Sequence, residues 1–213
     1  GVWLGSPAGL VFVTDRGGWV TTPITDPVRA IVRDPDGWLW IAARRALWAK
    51  KPSGELVRIG AAQGCEVSDP QLLALAPHGG VLVVGTGDEG HERLAIGREL
   101  AWSSFRTLPE LAIDALTPRS DAVIARAGGS LYRIAPTAPG TIQPLARDGV
   151  QLVPQGGGPS AWSIDPLELA LPPDPTTLAS AGDVLLVGTR DRGVARYRIG
   201  DALVVTAMLR PRR

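Results

Sequence analysis

One short apolar segment is written five times along this chain, and most copies close on small residues. The copies are Trp3-Leu4-Gly5-Ser6, Trp40-Ile41-Ala42-Ala43, Val83-Val84-Gly85-Thr86, Val123-Ile124-Ala125-Arg126 and Leu186-Val187-Gly188-Thr189. Their starts lie 37, 43, 40 and 63 residues apart. A turn precedes four of them: Asp34-Pro35-Asp36-Gly37, Pro77-His78-Gly79-Gly80, Pro118-Arg119-Ser120-Asp121 and Ser180-Ala181-Gly182-Asp183. In such turns Pro fixes φ near about −65° and Gly supplies positive φ. A second apolar stretch follows the copy at 9–13, 46–49, 130–134 and 193–199, and a more polar one comes after it at 55–59 and 203–206. Helical spacing is nowhere sustained for a dozen residues, while Gly and Pro punctuate the chain throughout.

Four strands per unit, repeating at roughly 40–50 residues, describe the blade of a β-propeller. With strands lettered a to d from the axis outward, the recurring segment is strand b. Its adjacent large apolar residues suit a sheet covered on both faces. The expected fold class is therefore all-β, a β-propeller of about five four-stranded blades with the first blade incomplete at the N-terminus. The alternative, an open β-sandwich with accidental self-similarity, fits five aligned copies poorly. Residues 1–213 are expected to form a single propeller domain cut from a longer chain, because the sequence opens in the middle of a repeat. The 63-residue interval holds an irregular insertion at 136–173 with a Gly156-Gly157-Gly158 linker; a degenerate sixth blade is the other reading of it.

Asp34-Pro35-Asp36-Gly37-Trp38-Leu39-Trp40-Ile41-Ala42, followed by Ala46-Leu47-Trp48, resembles the two-component regulator propeller repeat. Val2-Trp3-Leu4-Gly5-Ser6 with Gly9-Leu10 matches the second half of that repeat, and Gly85-Thr86 and Gly188-Thr189 carry its small pair with Val or Leu in place of Trp. More distantly, the repeat is similar to that of streptogramin lyase-like propellers, which are enzymes. The first resemblance implies a sensing or recognition module of bacterial type in a periplasmic or extracellular setting.

The bulk properties exclude several classes. With 22 basic and 21 acidic residues the net charge is +1, which gives no electrostatic case for nucleic acid. No apolar run approaches the roughly 18 residues of a membrane span, so no membrane insertion is expected. Arg210, Arg212 and Arg213 read as a solvated end. Cys65 is alone, which excludes an internal disulfide and a cysteine-based metal site. No nucleophile elbow, Walker loop or dinucleotide fingerprint is present. No metal and no cofactor are expected.

What remains is a set of loop residues. Asp26-Pro27, Asp69-Pro70 and Asp174-Pro175 share an acid–proline signature in the d–a connections, with Pro109-Glu110 in the fourth unit. In a propeller these connections gather at one mouth, where Asp26, Asp69, Glu110 and Asp174 could take a cation or a basic peptide. The local alternative is that Asp before Pro only starts a turn. The b–c loops open on the same mouth and carry Arg44, Arg45, Arg126 and Arg190 beside Asp88, Glu89, His91 and Glu92. This mixed-charge rim suits a protein partner or a small polar or zwitterionic ligand, or other domains of the same chain. Trp162, inside the insertion and outside the repeat frame, is a candidate partner anchor. His91 is the one acid–base candidate on the rim, and His78 falls in an a–b turn at the opposite mouth. The leading expectation is a non-enzymatic recognition module; the alternative is a lyase or hydrolase with His91 as acid/base.

Overall fold

The computed structural model describes residues 1–108, 110–137, 150–154, 162–198 and 204–209. The Gly156-Gly157-Gly158 linker, Pro109 and the terminal arginines lie outside the described residues. The chain divides into two compact units, Gly1–Arg106 and Thr107–Arg213.

The first unit holds three antiparallel meanders. The first has three strands, β1 (Val2–Ser6), β2 (Gly9–Val13) and β3 (Trp19–Thr21). The second runs β4 (Val28–Arg33), β5 (Leu39–Ala43), β6 (Ala46–Lys50), β7 (Leu56–Ile59). The third runs β8 (Asp69–Leu75), β9 (Val81–Thr86), β10 (Glu92–Arg98), β11 (Ala101–Leu108).

The second unit holds two. One contains β12 (Ile113–Pro118), β13 (Val123–Ala127), β14 (Ser130–Pro136), β15 (Val150–Pro154) and β16 (Trp162–Leu167), with β16 paired between β14 and β15. The other runs β17 (Pro175–Ala181), β18 (Val184–Thr189), β19 (Val194–Arg198), β20 (Val204–Leu209). The recurring segment falls in β1, β5, β9, β13 and β18, which is the second strand of the four- and five-stranded orders and the first of the three-stranded one.

The burial of these strands explains their composition. Every residue of β5 and β13 is buried, as a strand covered on both faces must be. Alternation along β5 then feeds two different cores. Leu39, Ile41 and Ala43 pack with Leu10 and Ile24 of the first meander. Trp40 and Ala42, with Trp38, pack with Leu73, Val81, Val83 and Trp102 of the third. In the second unit Ile124 and Leu131 meet Leu185, Val187 and Tyr197 in the same manner. Hydrophobic burial therefore lies between successive meanders, at about 1.5–3 kcal/mol for each large side chain.

One expectation needs correction. Residues 162–167 lie within the stretch read as an insertion, yet they pair in register with β14, Leu131 facing Leu167 and Pro136 facing Trp162. They supply the strand after β14 of an otherwise ordinary meander. The long interval arises because residues 137–161 intervene before that strand, so Trp162 stands inside the repeat frame. In the third meander the strand that the four-stranded repeat requires after the copy is the seven-residue β10, whose bounds the sequence does not delimit. Among the described residues no helix is long and apolar enough to cross a membrane.

Candidate functional site

In each meander after the first, the opening strand starts with a one-residue β-bulge opposite the small end of the second. Pairing skips Arg29 between Val28 and Ala30, Gln71 between Pro70 and Leu72, Asp114 between Ile113 and Ala115, and Thr176 between Pro175 and Thr177. Such a bulge re-aims the side chain of the extra residue, and all four extra residues are polar. Gly85 is required beside one of them, since a Cβ there would run into the backbone of Asp69 and Pro70.

In the first unit these bulges build a charged cluster. Arg29 Nη1 donates to Asp69 Oδ1 at 2.7 Å, and Gln71 Nε2 donates to Asp69 Oδ2 at 2.8 Å. The same Oδ1 accepts the backbone N–H of Arg45 at 3.2 Å. Asp69 is thus committed to three protein donors and acts as a latch on the β5–β6 loop. Arg45 Nη2 reaches Asp26 Oδ1 at 3.5 Å, and its carbonyl accepts from Arg58 Nη2 at 3.1 Å. Arg44 is exposed, and its backbone N–H donates to the Pro27 carbonyl at 2.8 Å.

The latch matters because of backbone strain. Arg45 sits at φ 68°, a left-handed conformation costing a non-glycine residue about 1–2 kcal/mol. The equivalent two-residue loop between β13 and β14 is Gly128-Gly129, at φ 54° and 88°, the residues that such a turn prefers. The second meander places two arginines where the fourth has glycines, and its neighbours hold the strained one in place.

Arg45 and Arg58 stand on the wall of a cleft of about 710 Å³, within the roughly 300–1,000 Å³ of ordinary small-ligand sites. Its lining also includes Glu66, Asp88, Glu89 and Arg93. Arg93 is the first buried residue of β10, its side chain 6% exposed, with Nη2 3.0 Å from Glu89 Oε2. Gly87 makes room for it, since a Cβ there would approach Arg93 Cγ to 3.0 Å. His91 lies exposed on the same β9–β10 loop, where its carbonyl accepts the Gly87 N–H at 3.0 Å. It is not among the residues lining the cleft, and Glu89, read from sequence as its neighbour, is paired with Arg93.

The other candidates belong to the second unit. Arg126, expected on an exposed loop, is instead buried within β13, its Nε donating to Asp114 Oδ1 at 2.7 Å. The hairpin turns two residues later, at Gly128-Gly129, so the strand still runs inward at Arg126. Asp174 is exposed at φ 52°, and its carbonyl accepts the N–H of Arg190 at 3.3 Å. Arg190 and Glu110 are both exposed. Trp162 is half-buried at the start of β16. Among the described residues no three His, Cys, Asp or Glu side chains are grouped to hold a metal ion.

Comparison with solved structures decides the architecture. A catalytically inactive virginiamycin B lyase from Staphylococcus aureus with quinupristin superposes with a TM-score of 0.59 at 14% identity, covering 94% of this chain and 63% of that one. A streptogramin B lyase superposes with a TM-score of 0.58 at 12% identity, covering 96% and 63%. The fold is a β-propeller. PorZ, a surface component of the type IX secretion system of Porphyromonas gingivalis, is similar to 97% of this chain over 24% of its own length, at a TM-score of 0.52 and 10% identity. The chain spans less than two thirds of either lyase structure. No family model matches the chain, and no curated protein matches it.

In propeller terms the charged cluster draws on the bulged first strands of the second and third blades, the β5–β6 loop and β7. Sequence reasoning missed Arg29, Gln71, Arg58 and Arg93. The available signal was a polar residue one or two positions after the acid–proline pair, in a strand otherwise apolar. Cys65, at the back of the cleft, is buried, and burial pushes its thiol up to about 11. Only about one thiol in a thousand is ionised near pH 8. Native protein should therefore react with iodoacetamide at least about 100-fold more slowly than urea-unfolded protein; equal rates would contradict the burial.

Proposed function

We propose that this chain is a propeller recognition module, of the two-component regulator repeat type, that binds a polar ligand or protein partner at the loop cluster of its first unit without transforming it. The observation carrying this reading is the cleft beside Arg45: a concavity lined by three arginines and three carboxylates on the loops and strand ends of a sheet frame. Function on such folds lives in loops, and a mixed-charge wall suits a ligand with both signs of charge. The lyase likeness favours a second reading, in which exposed His91 acts as acid/base on a substrate seated by the same arginines.

Affinity selection separates the two. The full chain is presented with an equimolar mixture of amino acids, short peptides and sugar acids, and retained compounds are identified by mass. Under the recognition reading, Arg45→Ala and Asp69→Asn lower retention about tenfold, the scale of one or two lost charge-assisted contacts, while His91→Ala leaves it unchanged. Retention unaffected by Arg45→Ala and Asp69→Asn, or no retention by wild type, would overturn the reading.

A further inference from the structure

Arg93 holds a buried cation that the protein itself leaves half-satisfied. Its Nη1 is buried and has no hydrogen-bond partner among the described residues. Its Nη2 is held by Glu89, whose side chain is 67% exposed and belongs to the loop at the rim. An unmade hydrogen bond on a buried charged group is costly, and buried polar groups are nearly always paired. The guanidinium fork matches a carboxylate with two parallel bonds; Glu89 reaches it from one side and pairs with only one nitrogen.

We propose that Arg93 is the carboxylate receptor of the cleft, and that Glu89 is an internal stand-in that an incoming α-carboxylate displaces. This inference rests on the recognition reading of the same cleft. A ligand carboxylate entering from the cleft takes both terminal nitrogens once Glu89 swings outward to solvent, where its charge is readily hydrated. The exchange leaves no buried charge unpaired, because the ligand carboxylate takes the place of Glu89 on Nη2 while Glu89 regains water.

The rest of the wall names the other half of the ligand. Arg45, Arg58 and Arg93 are balanced by Glu66, Asp88 and Glu89, and Glu66 and Asp88 are exposed. A dianionic phosphate would meet these carboxylates at close range. A zwitterion meets complementary charge at both ends, its carboxylate on Arg93 and its ammonium at Glu66 or Asp88. The chemical class is therefore an α-amino acid or a short peptide with free termini.

The probe is a randomised tripeptide library, prepared once as free acids and once as C-terminal amides, with mixed free amino acids and inorganic phosphate as further arms. The expected result is retention of free acids at least about tenfold above the amides. Glu89→Ala should raise that retention about threefold to fivefold, since a competing exposed pair is removed. Arg93→Lys keeps the buried charge but loses the fork, and should lower retention at least about tenfold, with thermal unfolding followed to show that the variant folds. The free amino acid arm reports whether a single residue suffices or a peptide is preferred, and either outcome supports the assignment. Peptides retained equally as acids and amides, unchanged or reduced retention in Glu89→Ala, or stronger retention of phosphate than of the acids would overturn it while leaving the recognition reading in place. No retention of any probe by wild type would sink both.

Discussion

Replacing Trp40 with alanine should lower the free energy of unfolding by about 3–5 kcal/mol, the usual cost of emptying a fully buried tryptophan site. Trp40 has no exposed surface. It stacks on Trp38 with centroids 5.6 Å apart and meets Trp102 edge-on at 5.2 Å, so it joins the second and third blades. Because folded domains are stable by only about 5–15 kcal/mol, the variant should unfold at a much lower urea concentration. Trp19 provides the control: it is 68% exposed, and Trp19→Ala should change stability by less than about 0.5 kcal/mol. Urea denaturation curves in which the two variants shift equally would mean that the blades are not cemented by their facing cores.

The second large effect is expected at Asp34. Its Oδ1 accepts the Trp38 backbone N–H at 2.9 Å and its Oδ2 accepts Trp40 Nε1–H at 2.9 Å, while the group itself is buried. The turn closes around it, with the Asp34 N–H donating to the Trp38 carbonyl at 3.0 Å and Gly37 N–H to the Asp34 carbonyl at 3.1 Å. Asp34→Ala leaves two buried donors without an acceptor and should cost about 3 kcal/mol. Asp34→Asn keeps one carbonyl oxygen and should cost roughly half as much. A double-mutant cycle of Asp34→Asn with Trp40→Phe should show a coupling of about 1 kcal/mol. Additive effects would show that the indole bond contributes nothing to the turn.

The Asp34 turn was legible because every device in it is local. Pro sets a dihedral, Gly supplies another, and Trp-Leu-Trp-Ile announces a strand buried on both faces. The period was legible for a related reason: each blade must bury two faces, so its second strand stays apolar wherever it recurs. What sequence does not carry is register. One skipped residue at Arg29, Gln71, Asp114 or Thr176 re-aims a side chain, and although a polar residue after the acid–proline pair marks three of these places, nothing in the composition says that the pairing skips it. Arg93 was hidden by its setting, since Glu92 and Arg93 at the start of β10 look like a solvated strand end. Arg126 looked like a loop residue because its strand reaches further than the other copies suggest. The strand after β14 in the fourth blade was obscured by the residues interposed before it, which broke the repeat interval without changing the strand's own chemistry.

We propose that the cleft of the first unit binds its ligand without transforming it. Wild type and His91→Ala are incubated with a panel of small lactones and cyclic peptides, and products are sought by mass spectrometry. Neither protein should produce a new mass above a protein-free control. A cleavage or elimination product formed by wild type and lost in His91→Ala would overturn the proposal.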